Sequence, residues 1–186
     1  MRFLPPALAA AALVLAVTAH AQTTAPQSGS PQTPPAQTLS SDLLVPGGKT
    51  VGKVMLIDAP KGVLVRIEAQ GLPPGWHGMH FHEKGDCSDD KFMNSGGHVH
   101  GDAKLVHGLL NANATDSGDL PNLYVGPDGR ATVELYSTLV SFDGATGRPA
   151  LKTAGGRALV IHANPDDYTT QPIGGAGARI ACAPLE

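Results

Sequence analysis

Residues 50–69, TVGKVMLIDAPKGVLVRIEA, decide the fold class of this chain. Apolar residues recur in short alternating runs on both sides of Pro60-Lys61-Gly62, without the spacing of three and four residues that an amphipathic helix requires. Proline and glycine so close together are typical of a turn. The segment therefore predicts two β-strands, 50–57 and 62–69, joined by a turn.

The same pattern recurs along a chain that carries 23 glycines and 16 prolines in 186 residues. Further strands are predicted at 38–44, 78–83, 131–137 and 158–162, with turns at 46–48 and 127–129. Such strands predict an all-β domain, either a sandwich or a barrel with Greek-key connections. Two long segments, 84–124 and 164–179, lack a strand pattern, and long loops of this kind are usually functional.

The first 21 residues have the pattern of a secretory signal peptide. Arg2 precedes a mostly apolar run over residues 3–17, and small residues lie at 19 and 21. We expect cleavage near Ala21 and a periplasmic or secreted protein, because the apolar run is too short for a permanent membrane span. Residues 22–36, rich in Pro, Gln and Thr, predict a disordered tether. Residues 37–186 then have the length of one domain.

The charge of the chain argues against one class of partner. The formal net charge is −3, and like charges do not cluster in runs. Nucleic acid is therefore not an expected partner, and no membrane span is expected beyond the signal peptide.

The two cysteines, Cys87 and Cys182, both lie in the predicted exported part. In an oxidising compartment they can form a disulfide, which would stabilise the domain by roughly 4 to 5 kcal/mol in the chain-entropy model. The alternative is two unrelated buried thiols.

Histidines give the clearest functional signal. His80 and His82 are two residues apart in a predicted strand, so their side chains share a face and can bind one metal ion. His77, three residues before His80, faces the other way. His98, His107 and His162 follow, although histidine is also a common surface residue and such a pair alone could face solvent.

Five motifs occur in order along the chain: 78–82 (GMHFH), 85–87 (GDC), 96–98 (GGH), 118–122 (GDLPN) and 174–182 (GGAGARIAC). With these motifs the chain resembles the copper/zinc superoxide dismutases of the secreted bacterial type. The resemblance implies an eight-stranded Greek-key β-barrel over residues 37–186, flattened like an immunoglobulin sandwich, with two long functional loops.

The resemblance also implies the ligands of two metal ions. Copper would be held by His80, His82, His98 and His162. His98 would use its second nitrogen to bridge copper to zinc, which would also take His107 and Asp119. The family has a histidine as fourth zinc ligand, where this chain has Asp116. Three alternatives remain open: zinc bound through Asp116, zinc completed by water or another ligand such as His100, and a copper-only protein.

Further roles follow from the same resemblance. Asp166 would join the copper ligand His80 to the zinc ligand His107. Arg179 would attract the superoxide anion to copper, and Cys87 would pair with Cys182.

The implied activity is dismutation of superoxide to dioxygen and hydrogen peroxide by a redox-cycling copper ion, with His98 and Arg179 as catalytic residues. It would protect the cell envelope, in a monomer or a homodimer. The rival hypotheses are a non-catalytic copper-binding module and a domain in which zinc has a purely structural role.

Overall fold

Residues 36–186 are described by a computed structural model of the chain. The predicted signal peptide, 1–21, and residues 22–35 of the predicted tether lie outside this range. The described part forms nine β-strands: β1 (Thr38–Val45), β2 (Lys49–Ala59), β3 (Gly62–Gln70), β4 (Gly75–His77), β5 (Met79–His82), β6 (Leu123–Val125), β7 (Arg130–Ser137), β8 (Arg157–His162) and β9 (Arg179–Leu185). One turn of 3-10 helix, Met93–Ser95, lies between β5 and β6.

The strand order confirms the all-β, Greek-key prediction. Seven strands form one antiparallel sheet in the order β5-β8-β9-β1-β2-β3-β7, while β4 pairs with β6. Strands that are distant in sequence, such as β9 and β1, become neighbours through long connections, and the sheet curls into a barrel. Together β4 and β5 form one of its eight strands, interrupted at Gly78, where the pairing partner changes from β6 to β8.

The barrel interior follows from the alternation in β2 and β3. Val63, Val65 and Ile67 are fully buried, whereas Arg66 and Glu68, on either side of Ile67, face solvent. Pairing of β2 with β3 sets Ile67 opposite the buried Val54, so that inward side chains of adjacent strands pack together. These side chains belong to one hydrophobic core that also receives residues from β5, β8 and β9.

Strands β4, β6 and β9 were not predicted. The first two have only three residues each, too few for an alternating pattern. Strand β9 lies between β8 and β1 and buries three consecutive residues, Ala181 to Ala183, so it has no polar face to alternate with. In the described range, no helix is long and apolar enough to span a bilayer.

Candidate metal centre

Strand β5 places two histidines on one side of the barrel wall. All four of its residues are buried, and Met79 and Phe81 belong to the hydrophobic core. Because side chains alternate along a strand, His80 and His82 point to the opposite side. The following loop returns along β5, where His98 forms a backbone bridge with His82.

His80, His82, His98 and His162 form a group of four buried imidazoles. One ring nitrogen of each lies within 4.8 Å of those of the others. Each ring also keeps one buried nitrogen without a hydrogen-bond partner in the described structure, namely His80 Nδ1, His82 Nε2, His98 Nε2 and His162 Nε2. Buried polar atoms left unpaired are costly, so these four nitrogens are suited to binding one shared metal ion. Four imidazoles suit Cu(II), and the donor set therefore fits copper.

The second nitrogen of each ring is held by an oxygen. His80 Nε2 lies 2.9 Å from Asp166 Oδ2, and His82 Nδ1 lies 3.0 Å from the Gly96 carbonyl. In the same way His162 Nδ1 lies 3.0 Å from the carbonyl oxygen of Gly177. These contacts fix the ring orientations, so that the unpaired nitrogens can present lone pairs to a metal.

Burial also favours the neutral form of three of these rings. Burial lowers the pKa of His80 and, more strongly, that of His82. Burial likewise lowers the pKa of His162 to about 3. Neutral imidazoles do not need to lose a proton before they bind a cation.

A second group of side chains surrounds the other face of His98. Its Nδ1 lies 2.6 Å from Asp116 Oδ2 and 3.9 Å from Asp119 Oδ1. His107 Nδ1 lies 3.4 Å from the same oxygen of Asp116 and 2.7 Å from that of Asp119. Two imidazole nitrogens and two carboxylate oxygens thus meet at one place, and all four side chains are buried. A four-coordinate zinc ion takes donors of these kinds.

The Asp116 carboxylate stays ionised despite burial. Burial alone would raise the pKa of Asp116, but hydrogen bonds with His107 and His98 outweigh it and hold that pKa well below its usual range. Burial likewise opposes a charge on His107, yet its hydrogen bonds with Asp116, Asp119 and Asp166 raise its pKa to about 11. Negative oxygens at this place favour a bound cation, which fits zinc.

Asp166 connects the two groups. Its Oδ2 lies 2.9 Å from His80 Nε2, and its Oδ1 lies 3.1 Å from His107 Nε2. Asn122 holds the loop that carries Asp166 through two hydrogen bonds of 2.9 Å. Asn122 Nδ2 donates to the Asp166 carbonyl, and the Asp166 N–H donates to Asn122 Oδ1. One buried carboxylate therefore orients a ring from each group.

Arg179 is held at the loop that carries His98. Its guanidinium donates to the carbonyls of Phe92 at 2.6 Å and Gly96 at 2.7 Å, and to Ser95 Oγ at 3.0 Å. The Gly96 carbonyl also faces His82 Nδ1, so Arg179 and the four-imidazole group share one anchor.

A family model described as copper/zinc superoxide dismutase (SODC) matches residues 50–185. The chain belongs to this family. The Cu-Zn superoxide dismutase of Caulobacter vibrioides is 59% identical over 139 residues, which cover 75% of this chain and 80% of that protein. Cu-Zn superoxide dismutase 2 of Aquifex aeolicus is 39% identical over 143 residues, covering 76% and 82%.

Solved structures agree with the fold. A superoxide dismutase-like protein from Bacillus subtilis matches with a TM-score of 0.72 and 34% identity, covering 79% of this chain and 97% of that one. The Cu/Zn superoxide dismutase from Brucella abortus matches with a TM-score of 0.65 and 28% identity, covering 81% and 100%. As a copper/zinc superoxide dismutase the protein is an oxidoreductase that uses both metals, and superoxide is its substrate.

The predicted disulfide of this superoxide dismutase is present. Cys87 and Cys182 are bonded across 95 residues, with their Cα atoms 5.8 Å apart. Cys182 is fully buried in β9, the strand that Arg179 begins. The bond therefore ties the loop after β5 to the strand that carries the anchored arginine.

Two further histidines lie outside both groups. His77 places its ring nitrogens 2.8 Å from the carbonyl oxygens of His162 and Pro73, so its ring contacts backbone. His100, considered above as a substitute zinc ligand, is turned towards the Gly101 carbonyl and Glu83.

Sequence reasoning missed the side chains that clamp the metal loops. Gln171 Oε1 accepts the His107 N–H at 2.9 Å, and Gln171 Nε2 donates to the His107 carbonyl at 2.8 Å. Tyr168 accepts the Asn122 N–H at its hydroxyl, at 2.7 Å. These contacts join residues 64 and 46 positions apart, so no local pattern signals them.

Replacing Gly174 with alanine should weaken the second metal group. An added Cβ would overlap Asp166 Oδ1 and lie 2.5 Å from its Cγ and 2.9 Å from His107 Nε2. We expect Asp166 to be displaced and zinc affinity to fall by about 10- to 100-fold, as for other losses of outer hydrogen bonds. Zinc titration against a competing chelator measures the change.

Gly175→Ala is the matched control. Its φ of +70° resembles the +62° of Gly174, so both variants carry backbone strain, but no atom lies within 4 Å of the added Cβ at 175. Equal zinc affinity in the two variants would show that the contact with Asp166 is not the cause.

Proposed function

We propose that this enzyme dismutates superoxide at a copper ion held by His80, His82, His98 and His162, and that His98 bridges this ion to zinc. The observation that supports the proposal is the convergence of four unpartnered, buried imidazole nitrogens beside an anchored arginine. Zinc would take the second group: His98, His107, Asp116 and Asp119. Asp166 would orient His80 and His107 from behind.

The reaction joins two superoxide anions with two protons and yields one dioxygen and one hydrogen peroxide. Copper, when bound, supplies the one-electron oxidation and reduction at this place. Arg179 offers a positive charge to an incoming anion and hydrogen-bond donors to bound oxygen. His98 Nε2 faces the copper group and can hold the proton that the product needs, while Asp116 and the zinc group keep the ring oriented through Nδ1.

The protein would act in the cell envelope. The disulfide fits an oxidising compartment, and the first 21 residues have the pattern of an export signal. Superoxide does not need to enter the cell to reach such an enzyme, so its role would be protection of envelope components.

A non-catalytic copper-binding module is the alternative. Such a module would need the four imidazoles but would have no use for an arginine held beside them. Superoxide decay followed by stopped flow, with copper-loaded and chelator-treated protein, separates the two: a binder gives no copper-dependent rate above that of free metal.

Arg179→Ala should slow the copper-loaded enzyme by roughly tenfold or more at low ionic strength, because a local positive charge speeds capture of a small anion. The protein as a whole is negatively charged, which increases the need for this residue. Rates are compared at low and high salt with bound copper measured on each sample, and the salt dependence should become weaker in the variant.

The control is Arg66→Ala, which removes the same charge from an exposed ion pair with Glu134. It should change the rate only slightly. If both arginine variants slowed the enzyme equally, net charge rather than the position of Arg179 would explain the effect.

A further inference from the structure

The second metal group has two anionic donors in fixed positions. Asp116 Oδ1 accepts the Gly118 N–H at 2.9 Å, and Asp119 Oδ2 accepts the Gly108 N–H at 2.7 Å. Each carboxylate therefore has one oxygen tied to the backbone and turns the other towards His98 and His107. Asp119 Oδ1 is buried and lies 2.7 Å from His107 Nδ1.

A third imidazole, that of His80, lies close to this group, but both of its ring nitrogens face other partners. His100, whose backbone pairs with Asp116, turns its ring to Gly101 and Glu83. A ring nitrogen of His80 lies within 4.8 Å of ligand atoms of His98, His107 and Asp119, but His80 Nε2 is held by Asp166 and His80 Nδ1 belongs to the four-imidazole group. The donor set is thus two nitrogens and two oxygens, whereas the first group offers four nitrogens.

This difference has a chemical consequence. The affinity of copper exceeds that of zinc at most sites, and imidazole ligands suit copper well, while carboxylates suit harder cations. We propose that Asp116 sets the metal selectivity of the second group, so that this group rejects copper more strongly than it would with a histidine at 116. Copper is thereby directed to the four imidazoles. The inference rests on the proposed placement of zinc and adds to it a reason for the aspartate.

The charge of the group favours a bound divalent cation. The ion pairs of Asp116, Asp119 and Asp166 within the described range are all with His98, His107 or His80, and none is with lysine or arginine. A divalent cation would balance two adjacent carboxylates that no permanent cation contacts. Charge balance does not itself favour copper, so selectivity is left to the donor atoms.

To test this inference, metal-free full-length protein is equilibrated with Cu²⁺ and Zn²⁺ at equal concentrations, each in excess over the protein. Bound metals are then counted by elemental analysis and native mass spectrometry. The wild type should hold about one copper and one zinc per chain. In Asp116→His, copper should enter the second group, and the zinc-to-copper ratio there should fall by about tenfold. Two coppers in the wild type, or an unchanged ratio in the variant, would overturn the inference.

Asp116→Asn keeps the size of the side chain and serves if the histidine variant does not fold. It should lose zinc from the second group while copper stays in the first, because the anionic donor is gone. Full zinc occupancy in this variant would show that the Asp116 carboxylate is not a ligand. Superoxide decay measured on the same wild-type sample tests the proposed function separately, since a protein with the wrong selectivity would still show a copper-dependent rate.

Discussion

His98→Ala should lower copper-dependent superoxide decay at least about 100-fold, even when copper saturates the protein. His98 lies in both groups: its Nε2 is an unpartnered nitrogen of the four-imidazole group, and its Nδ1 lies 2.6 Å from Asp116 in the second group. If His98 bridges the two metals as proposed, alanine would remove a ligand of each metal, the link between them and the nitrogen that would hold the product's proton. Loss of copper affinity alone could be overcome by excess copper, whereas loss of the link could not.

The measurement is stopped-flow decay of superoxide over a range of added copper, with bound copper and zinc determined on each sample. His100→Ala is the control, because this histidine lies two residues away and is turned towards Glu83. It should keep nearly the full rate. A His98→Ala enzyme that reaches the wild-type rate at saturating copper would rule out the bridging role of His98.

The sequence could predict those strands that have one buried face and one solvent-exposed face. In β3, buried Val65 and Ile67 alternate with exposed Arg66 and Glu68, and the predicted segment 62–69 matches the observed Gly62–Gln70 within one residue. Strand β9 escapes this reasoning because its middle residues, Ala181 to Ala183, are buried on both faces of the sheet. Alternation reports a difference between two faces, so it fails where that difference is absent.

The metal centre divides in a similar way. The spacing of His80 and His82 predicted a shared face, since two residues in a strand are enough to fix it. No local rule could bring Asp166 to His80 across 86 residues or Asp116 to His98 across 18, and only the resemblance to a family suggested such partners. The position of the Asp116 oxygen between His98 and His107 depends on how the loop after β5 folds back. Sequence therefore left the role of Asp116 open.

Removing the disulfide should be the largest single loss of stability in this protein. The bond closes a loop of 95 residues, and the chain-entropy model gives roughly 4 to 5 kcal/mol for that length. We expect the Cys87→Ala, Cys182→Ala double variant to unfold roughly 10 °C or more below the wild type, given the usual relation for a domain of about 150 residues. Alanine is preferred to serine because Cys182 is fully buried among apolar residues, where a hydroxyl would add a separate cost.

Bound metals would also hold the loop after β5, so unfolding is measured by calorimetry on metal-free and metal-loaded protein. Without metals, the double variant and the wild type should show the full difference in unfolding temperature. The matched control is wild-type protein with the disulfide reduced and alkylation omitted, which keeps both sulfur atoms in the core and removes only the bond. Reduced and oxidised wild type could unfold at the same temperature while the alanine variant unfolds at a lower one. The variant's loss of stability would then come from packing of the sulfur atoms, and the constraint on the unfolded chain would contribute little.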